Sequence, residues 1–152
     1  PVEVARQLAF YMMEHGIDIE SGPGLNEIVL LLRERCKTLV EMVENCRFFY
    51  QPVTEYDANA VKKHIKDGTV DILKSVREKL AGLDEWYADG IHHAVQQVVN
   101  EKEVGFPKVA QPLRIAVTGS TTSPSIDTTL DLLGKDNTLT SIDKLLEYIQ
   151  KP

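Results

Sequence analysis

The stretch Lys108-Val-Ala-Gln-Pro-Leu-Arg-Ile-Ala-Val-Thr-Gly119 is the part of the chain that decides what kind of molecule it is. It lies within a longer segment, Val104 to Ile126, whose only charged residues are Lys108 and Arg114, although the whole chain has a net charge of -6. Hydroxyl side chains crowd the end of this segment, at Ser120, Thr121, Thr122, Ser123 and Ser125. A cation beside small hydrogen-bond donors suits a polyanion or exposed base edges better than a protein core.

Helix signals extend from this stretch in both directions. Gln111-Pro112 is expected to open a short helix that ends at Gly119. After it, Ser123-Pro124 has the pattern of an N-cap followed by a first helical residue, and Thr140-Ser-Ile-Asp143 resembles a capping box for a last helix. Further upstream, Asp57, Thr69 and Asp84 are the predicted N-caps of three more helices, which end near Gly68, Leu80 and Lys102.

The first third of the chain also has helical periodicity. A helix that begins near Pro1 is predicted to stop at His15-Gly16, and a long one follows from about Asn26 to about Arg47. The segment Phe48 to Val53 breaks the pattern, since Pro52 disfavours helix in the residue before it. No alternating strand pattern and no repeat is present, so we expect an all-α fold of two small packed helical subdomains, residues 1–50 and 51–152.

Composition limits the possible functions. The 152 residues are 43% apolar and 26% charged, which is ordinary for a soluble globular protein. An excess of 23 acidic over 17 basic residues argues against generic nucleic-acid binding, so any RNA contact should be local and weak in the isolated chain. No apolar run is long enough to span a bilayer, and the start at Pro1 instead of methionine predicts a piece of a longer polypeptide.

Residues with catalytic or metal-binding patterns are missing. The sequence contains no HExxH, phosphate-binding loop, dinucleotide-binding turn or nucleophile elbow, so we assign no catalytic and no metal-binding residue. Cys36 and Cys46 are predicted to lie on one helix as reduced thiols, which fits a cytosolic protein. The aromatic run Phe48-Phe-Tyr50 fits either a base-stacking platform or, as we favour, a hydrophobic joint between the two halves.

Arg35 stands inside the apolar stripe of the predicted long helix, between Leu32 and Leu39. Burying a guanidinium group is costly unless it is paired. In a generic helix the simplest interpretation is an arginine at the edge of the stripe that pairs with an acid such as Glu34 or Glu41.

Two separated blocks of the sequence closely resemble the C-terminal region of bacterial glutamyl-tRNA synthetases. One contains Gln111-Pro-Leu-Arg114, Thr118-Gly119, Pro124 and Leu133-Gly-Lys135; the other contains Leu32-Arg-Glu-Arg-Cys-Lys-Thr-Leu-Val-Glu41 followed by Arg47-Phe-Phe-Tyr50. The blocks occur in the family's order, and the resemblance runs over essentially the whole chain. It implies the all-α anticodon-binding fold of this class I family and a role in recognising the anticodon loop of glutamate tRNA.

The resemblance also implies site residues. Arg35 matches the arginine that reads the third anticodon base in many members: cytosine offers two acceptors to the guanidinium fork, whereas guanine turns donors toward it. Arg114 matches a contact to the anticodon loop, and Ser123, Pro124 and Ile126 match the loop and helix start that meet the other bases. Gln96 stands where some members have an arginine, so that contact is not expected here.

The same resemblance implies what the chain needs from elsewhere. In this family ATP and Mg²⁺ act in an N-terminal catalytic domain, whose His-Ile-Gly-His-like and Lys-Met-Ser-Lys-Ser-like signatures are missing from this sequence. We therefore expect a cytoplasmic fragment that holds no cofactor and is inactive alone. Its expected partners are glutamate tRNA and the catalytic domain of the same polypeptide, and no DNA or membrane. The alternative is a helical protein–protein interaction module that binds no RNA.

Overall fold

Helices account for all regular structure in the part of the chain that the computed structural model describes, which is residues 2–19, 22–32, 38, 41–42, 46–50, 53, 55–121 and 125–150. No strand occurs in these residues, and the all-α prediction is confirmed there. The longer helices are α1 (Val2–Glu14), α2 (Leu25–Leu32), α3 (Ala58–His64), α4 (Thr69–Ala81), α5 (Ala88–Lys102), α6 (Phe106–Thr118), α7 (Ile126–Leu133) and α8 (Lys135–Gln150). Of these described helices, none is long and apolar enough to cross a membrane.

The chain forms two compact units, residues 1–52 and 53–152. In the first unit, α1 packs on α2, and a short 3-10 helix follows at Arg47–Phe49. The loop before α2 is fixed to this 3-10 helix: the Tyr50 hydroxyl donates to the Pro23 carbonyl at 2.6 Å. A Cβ atom on Gly22 would collide with the Phe49 carbonyl oxygen, so only glycine allows this close approach.

The long helix predicted from Asn26 to Arg47 is interrupted. Thr38 lies in a bend, and its Oγ1 accepts a hydrogen bond from the Glu41 amide at 3.1 Å. A threonine that accepts from the amide three residues later has N-cap geometry, so a new helical turn begins there. The apolar period continues through the bend, which is why periodicity alone did not reveal it. Cys46 is a buried thiol, whereas its predicted helix neighbour Cys36 lies outside the described residues.

In the second unit, α6 packs against each of the other five described helices. It begins at Phe106 and not at Gln111-Pro112, because Pro107 occupies the first turn and Pro112 is accommodated in the helix interior. Pro112 cannot donate to the carbonyl four residues earlier, but its ring is buried in the core. The predicted end at Gly119 is confirmed, with φ at 85°.

Three other helices begin at residues different from those predicted. Thr69 is the first residue of α4, not its N-cap, and α5 begins at Ala88 after Tyr87, not at Asp84. The proposed capping box at Thr140 lies inside α8, which begins at Lys135. Its acid, Asp143, instead forms a two-pronged ion pair with Arg77 of α4, with N–O distances of 2.6 and 3.0 Å.

Candidate nucleic-acid interface

Helix α6 is the central element of the second unit, and most of its surface is covered. Its buried residues are Val109, Ala110, Pro112, Leu113, Ile115, Ala116 and Val117. A helix that is apolar on most of its circumference belongs to a core. Whatever polar side chains α6 still presents are therefore confined to one narrow strip.

That strip consists of Lys108, Gln111, Arg114 and Thr118, which we call the α6 stripe. These residues are spaced by three, three and four positions, so they follow one face of the helix over about 15 Å. Lys108 is exposed, and the other three are half-buried. The stripe is the only face on which α6 leaves the core along its whole length.

The side chains of the stripe support one another. The Arg114 guanidinium donates to Gln111 Oε1 at 3.4 Å. The Thr118 hydroxyl donates to the Arg114 carbonyl oxygen at 2.7 Å and accepts from the Ser120 amide at 3.1 Å. Gln111 thus holds one side of the guanidinium plane, and Thr118 closes the C-terminal end of the stripe. A guanidinium group in this position presents a planar fork of donors that suits a planar acceptor edge.

Gly119 ends the stripe and attaches it to the chain segment before α3. Its φ of 85° is in the left-handed region, and a Cβ there would lie 2.7 Å from the Glu55 carbonyl oxygen. The Gly119 carbonyl in turn accepts from the Asp57 amide at 2.7 Å. Only glycine meets both requirements, and the contact brings the start of α3 to the end of α6.

Helix α3 runs antiparallel to α6. Asp57, its N-cap, accepts from the amides of Asn59 and Ala60 and lies beside Gly119 at the end of α6. At the other end of α3, His64 lies close enough to Lys108, near the start of α6, for the lysine charge to affect its pKa. The start of α3 thus lies at the end of α6, and the end of α3 lies at the start of α6. The basic last turn of α3 is therefore beside the first turn of the stripe.

The environment of His64 is electropositive. Partial desolvation lowers the pKa of His64 below its ordinary value, and the charges of Lys63, Lys66 and Lys108 lower it further. No acidic residue contributes to this shift. Among the described α-helices, only α3 and α6 have no acid in the first turn, and neither contains an acid at any position. The two acid-free helices of an acidic chain therefore pack against each other.

The five site residues proposed from the sequence do not all lie in the α6 stripe. Arg114 lies in the α6 stripe. Ile126 is the first residue of α7, but the residue is only 1% exposed and belongs to the core, so it presents no surface of its own to a ligand. Helix α7 begins there after Ser125, whose backbone oxygen accepts from the Thr129 amide. Arg35, Ser123 and Pro124 lie outside the described residues.

Sequence reasoning missed Gln111, Thr118 and the lysines of α3 as neighbours of Arg114. Taken by itself, the run Lys62-Lys-His-Ile-Lys66 has the pattern of a solvated helix face, and its position beside α6 depends on the chain reversing direction. The available signal was the lack of any acid between Ala58 and Lys66, which matches the acid-free segment around Arg114.

Other residues of the resembling blocks are structural. Lys135 follows Gly134 at the start of α8, and its ammonium group donates to the Leu83 carbonyl at 2.8 Å. Nearby, the Trp86 indole donates to the Leu130 carbonyl at 2.8 Å. These two bonds attach the loop before α5 to α7 and α8. In the described part of the chain, no group of three or more His, Cys, Asp or Glu side chains is arranged to hold a metal ion.

Comparison with known proteins identifies a family and similar structures. The model of a family described as "Anticodon binding domain" matches residues 3–146. A glutamate tRNA ligase from Elizabethkingia meningosepticum, solved with its amino acid, has a TM-score of 0.85 at 23% identity, covering 97% of this chain and 29% of that one. A glutamate-tRNA synthetase from Elizabethkingia anophelis has a TM-score of 0.79 at 22% identity, covering 95% and 28%. The chain shares the fold of a segment of these enzymes and spans less than a third of their length.

Proposed function

Because the chain belongs to the anticodon binding domain family, we propose that it is the anticodon-binding region of a glutamate–tRNA ligase. Its role is to recognise the anticodon loop of glutamate tRNA, and each of the two compact units is one anticodon-binding subdomain. The fold shared with glutamate–tRNA ligases over 97% of the chain supports this choice among the proteins that read anticodons.

The observation that carries the proposal is the α6 stripe. An otherwise buried helix keeps an arginine at its surface, braced by Gln111, in a segment free of acidic residues. Proteins read RNA loops by splaying the bases out and bonding to their edges, and a held guanidinium suits this task. In this proposal Arg114 contacts the anticodon loop, at a base edge or a phosphate.

Arg35 is the proposed reader of the third anticodon base. The two acceptors of cytosine, O2 and N3, match the donor fork of arginine, whereas guanine would oppose it with donors. This change of base distinguishes glutamate from glutamine anticodons. The support is the resemblance of Leu32-Arg-Glu-Arg35 to the corresponding family block.

Ser123, Pro124 and Ile126 are the proposed neighbours of the remaining anticodon bases. Ile126 is buried and fixes the start of α7, and the first amides of that helix precede its first internal hydrogen bond, which the Thr129 amide donates to the Ser125 carbonyl. Amides at a helix N-terminus can donate to base or phosphate acceptors. This part of the site acts through the main chain and the preceding loop.

The chemistry of the ligase belongs to the rest of the polypeptide. We propose that an N-terminal catalytic domain binds ATP and Mg²⁺, joins glutamate to the tRNA, and acts in the cytoplasm. The matched ligases are more than three times as long as the aligned segment, which leaves room for such a domain. On α1, Phe10 and Met13 are 65% and 67% exposed, and this apolar surface suits contact with that domain.

Titration of the 152-residue chain with glutamate tRNA and with an unrelated tRNA at low salt tests the proposal. We expect tighter binding of glutamate tRNA, and binding weaker by about tenfold or more for Arg114→Ala, since a hydrogen bond to a charged group contributes roughly 1.5–3 kcal/mol. Arg6→Ala is the matched control, because this arginine is exposed on α1 and pairs only loosely, at 3.5 Å, with Glu3.

Two results would reject the proposal. Equal or undetectable binding of both tRNAs would favour a protein-interaction module. If Arg114→Ala binds as tightly as Arg6→Ala and melts at the same temperature as the wild type, Arg114 is an ordinary surface residue.

A further inference from the structure

A cluster of lysines stands where the end of α3 meets the start of α6. It comprises Lys63 in the last turn of α3, Lys66 two residues after that helix, and Lys108 in the first turn of α6, arranged around His64. We call these three lysines the α3–α6 lysine cluster. All three are exposed, and nothing in the function proposed so far uses them except Lys108, which starts the stripe.

The cluster is held in place by local structure. The Lys66 amide donates to Thr69 Oγ1 at 2.9 Å, so the turn that carries Lys66 is tied to the buried Thr69 at the start of α4. The Lys108 amide donates to the Gly105 carbonyl at 3.0 Å within the first turn of α6. The three backbone positions are thus fixed, while the side chains can extend into solvent.

Placing like charges close together costs free energy, and elsewhere in the described part of the second unit basic side chains are neutralised by acids. Arg77 pairs with Asp143, and Lys79 pairs with Glu101. At the α3–α6 junction neither helix contains an acid, and although Asp67 follows Lys66 in the connecting turn, the charges that reach His64 are all positive. An anion from outside the chain would relieve this repulsion.

We propose that the α3–α6 lysine cluster binds the phosphodiester backbone of the RNA whose loop meets the α6 stripe. This inference rests on the proposed function and extends it. From the cluster, the stripe continues through Gln111 and Arg114 to Thr118, a path of about 15 Å along the surface of α6. The cluster supplies electrostatic attraction and sets the position of the strand, while Arg114 contacts the anticodon loop.

Phosphate contacts carry no sequence information. Substitutions in the cluster should therefore affect binding differently from substitutions of residues that contact bases. Loss of the cluster should weaken binding of all tRNAs by the same factor. Each neutralised phosphate on a single strand contributes about 0.7 to the magnitude of the slope of log affinity against log salt. Removing three lysine contacts should therefore reduce that magnitude by about 2.

The test is the affinity of the 152-residue chain for glutamate tRNA and for an unrelated tRNA over a range of salt concentrations. The test variant carries Lys63→Gln, Lys66→Gln and Lys108→Gln. The control variant carries Lys74→Gln, Lys102→Gln and Lys144→Gln, three exposed lysines that have acids close by on their own helices. Both variants change the net charge equally, so only the location of the charge differs.

For the test variant, we expect the magnitude of the slope of log affinity against log salt concentration to decrease by about 2 with both tRNAs. The control variant should have the slope of the wild type. Equal slopes for the two variants would overturn the proposal. So would binding to vesicles of anionic lipid that only the test variant loses, with its tRNA affinity unchanged. The anticodon function is tested separately by the ratio of the affinities for the two tRNAs. The phosphate contact is tested by the salt slope, which is measured with each tRNA.

His64 provides a second measurement that does not depend on substitution. A phosphate held by the surrounding lysines would stabilise its imidazolium form, so the pKa of His64 should rise when glutamate tRNA is added. The measurement is an NMR titration of the ring protons with and without the tRNA. A pKa that stays unchanged or falls would contradict phosphate binding at this junction.

Discussion

At the scale of single residues, Gly119 connects the architecture of the second unit to its candidate site. Its left-handed backbone ends α6, and its lack of a side chain lets the main chain of Glu55 approach. Through the hydrogen bond from the Asp57 amide, this one residue determines where α3 begins. The distance of the α3 lysines from Arg114 therefore depends on a glycine rather than on a charged residue.

Gly119→Ala is predicted to destabilise the chain more than Gly68→Ala. Both glycines have φ near 85°, but a Cβ on Gly68 meets no atom within 4 Å, whereas one on Gly119 overlaps the Glu55 carbonyl. The left-handed conformation alone costs alanine roughly 1–2 kcal/mol, and overlap in a packed site adds about 1–3 kcal/mol. Urea denaturation gives the free energy of unfolding for each variant. Equal losses would mean that the approach to Glu55 is not constrained.

At the scale of secondary structure, α3 is too short to be stable by itself. Its seven residues depend on packing against α6 and on the N-cap, where Asp57 accepts from the amides of Asn59 and Ala60 at 2.8 and 3.2 Å. The helix nevertheless carries Lys63 to its place in the lysine cluster. A local capping interaction thus supports the electrostatics of the surface.

Asp57→Ala is predicted to lower the free energy of unfolding by about 1 kcal/mol, since an N-cap acceptor is lost. Asp57→Asn keeps an acceptor oxygen at the same position and should retain most of the stability. The two variants remove the same charge, so their difference isolates the hydrogen bonds. Denaturation curves of equal midpoint for the two would show that the cap contributes nothing.

Elements whose boundaries are set by neighbouring residues could be predicted from the sequence. The stop at Gly16, the cap at Asp57 and the end of α6 at Gly119 belong to this group. The start of α8 could not, because Asp143, which resembled a capping acid, has its partner 66 residues away at Arg77. A pairing at that separation leaves no trace in local spacing.

The candidate site was predictable to a similar degree. An acid-free segment singled out Arg114 without any structure, because charge is a property of the sequence itself. Gln111 and Thr118 become part of the site only when the other faces of α6 are covered by five helices. The lysines of α3 join it only because that helix runs back along α6, which is a tertiary property.

At the scale of the whole molecule, the proposed function assigns recognition to this chain and leaves the chemistry to the rest of a longer polypeptide. The chain matches 29% of a glutamate tRNA ligase and lacks that family's nucleotide-binding signatures. We predict no ATP–pyrophosphate exchange with glutamate by the purified chain, even when tRNA is present. Reproducible exchange that copurifies with the chain would show that it is more than a recognition module.

Anticodon recognition is the central claim, and two stem–loops that differ only at the third anticodon base test it most directly. One carries cytosine and the other guanine, and the affinity of the 152-residue chain is measured for each. We predict a preference of roughly tenfold or more for cytosine, since a bidentate contact contributes about 1–3 kcal/mol of discrimination. Arg35→Gln should abolish the preference, because glutamine can both donate and accept. Equal affinity of the wild-type chain for both stem–loops would contradict the account.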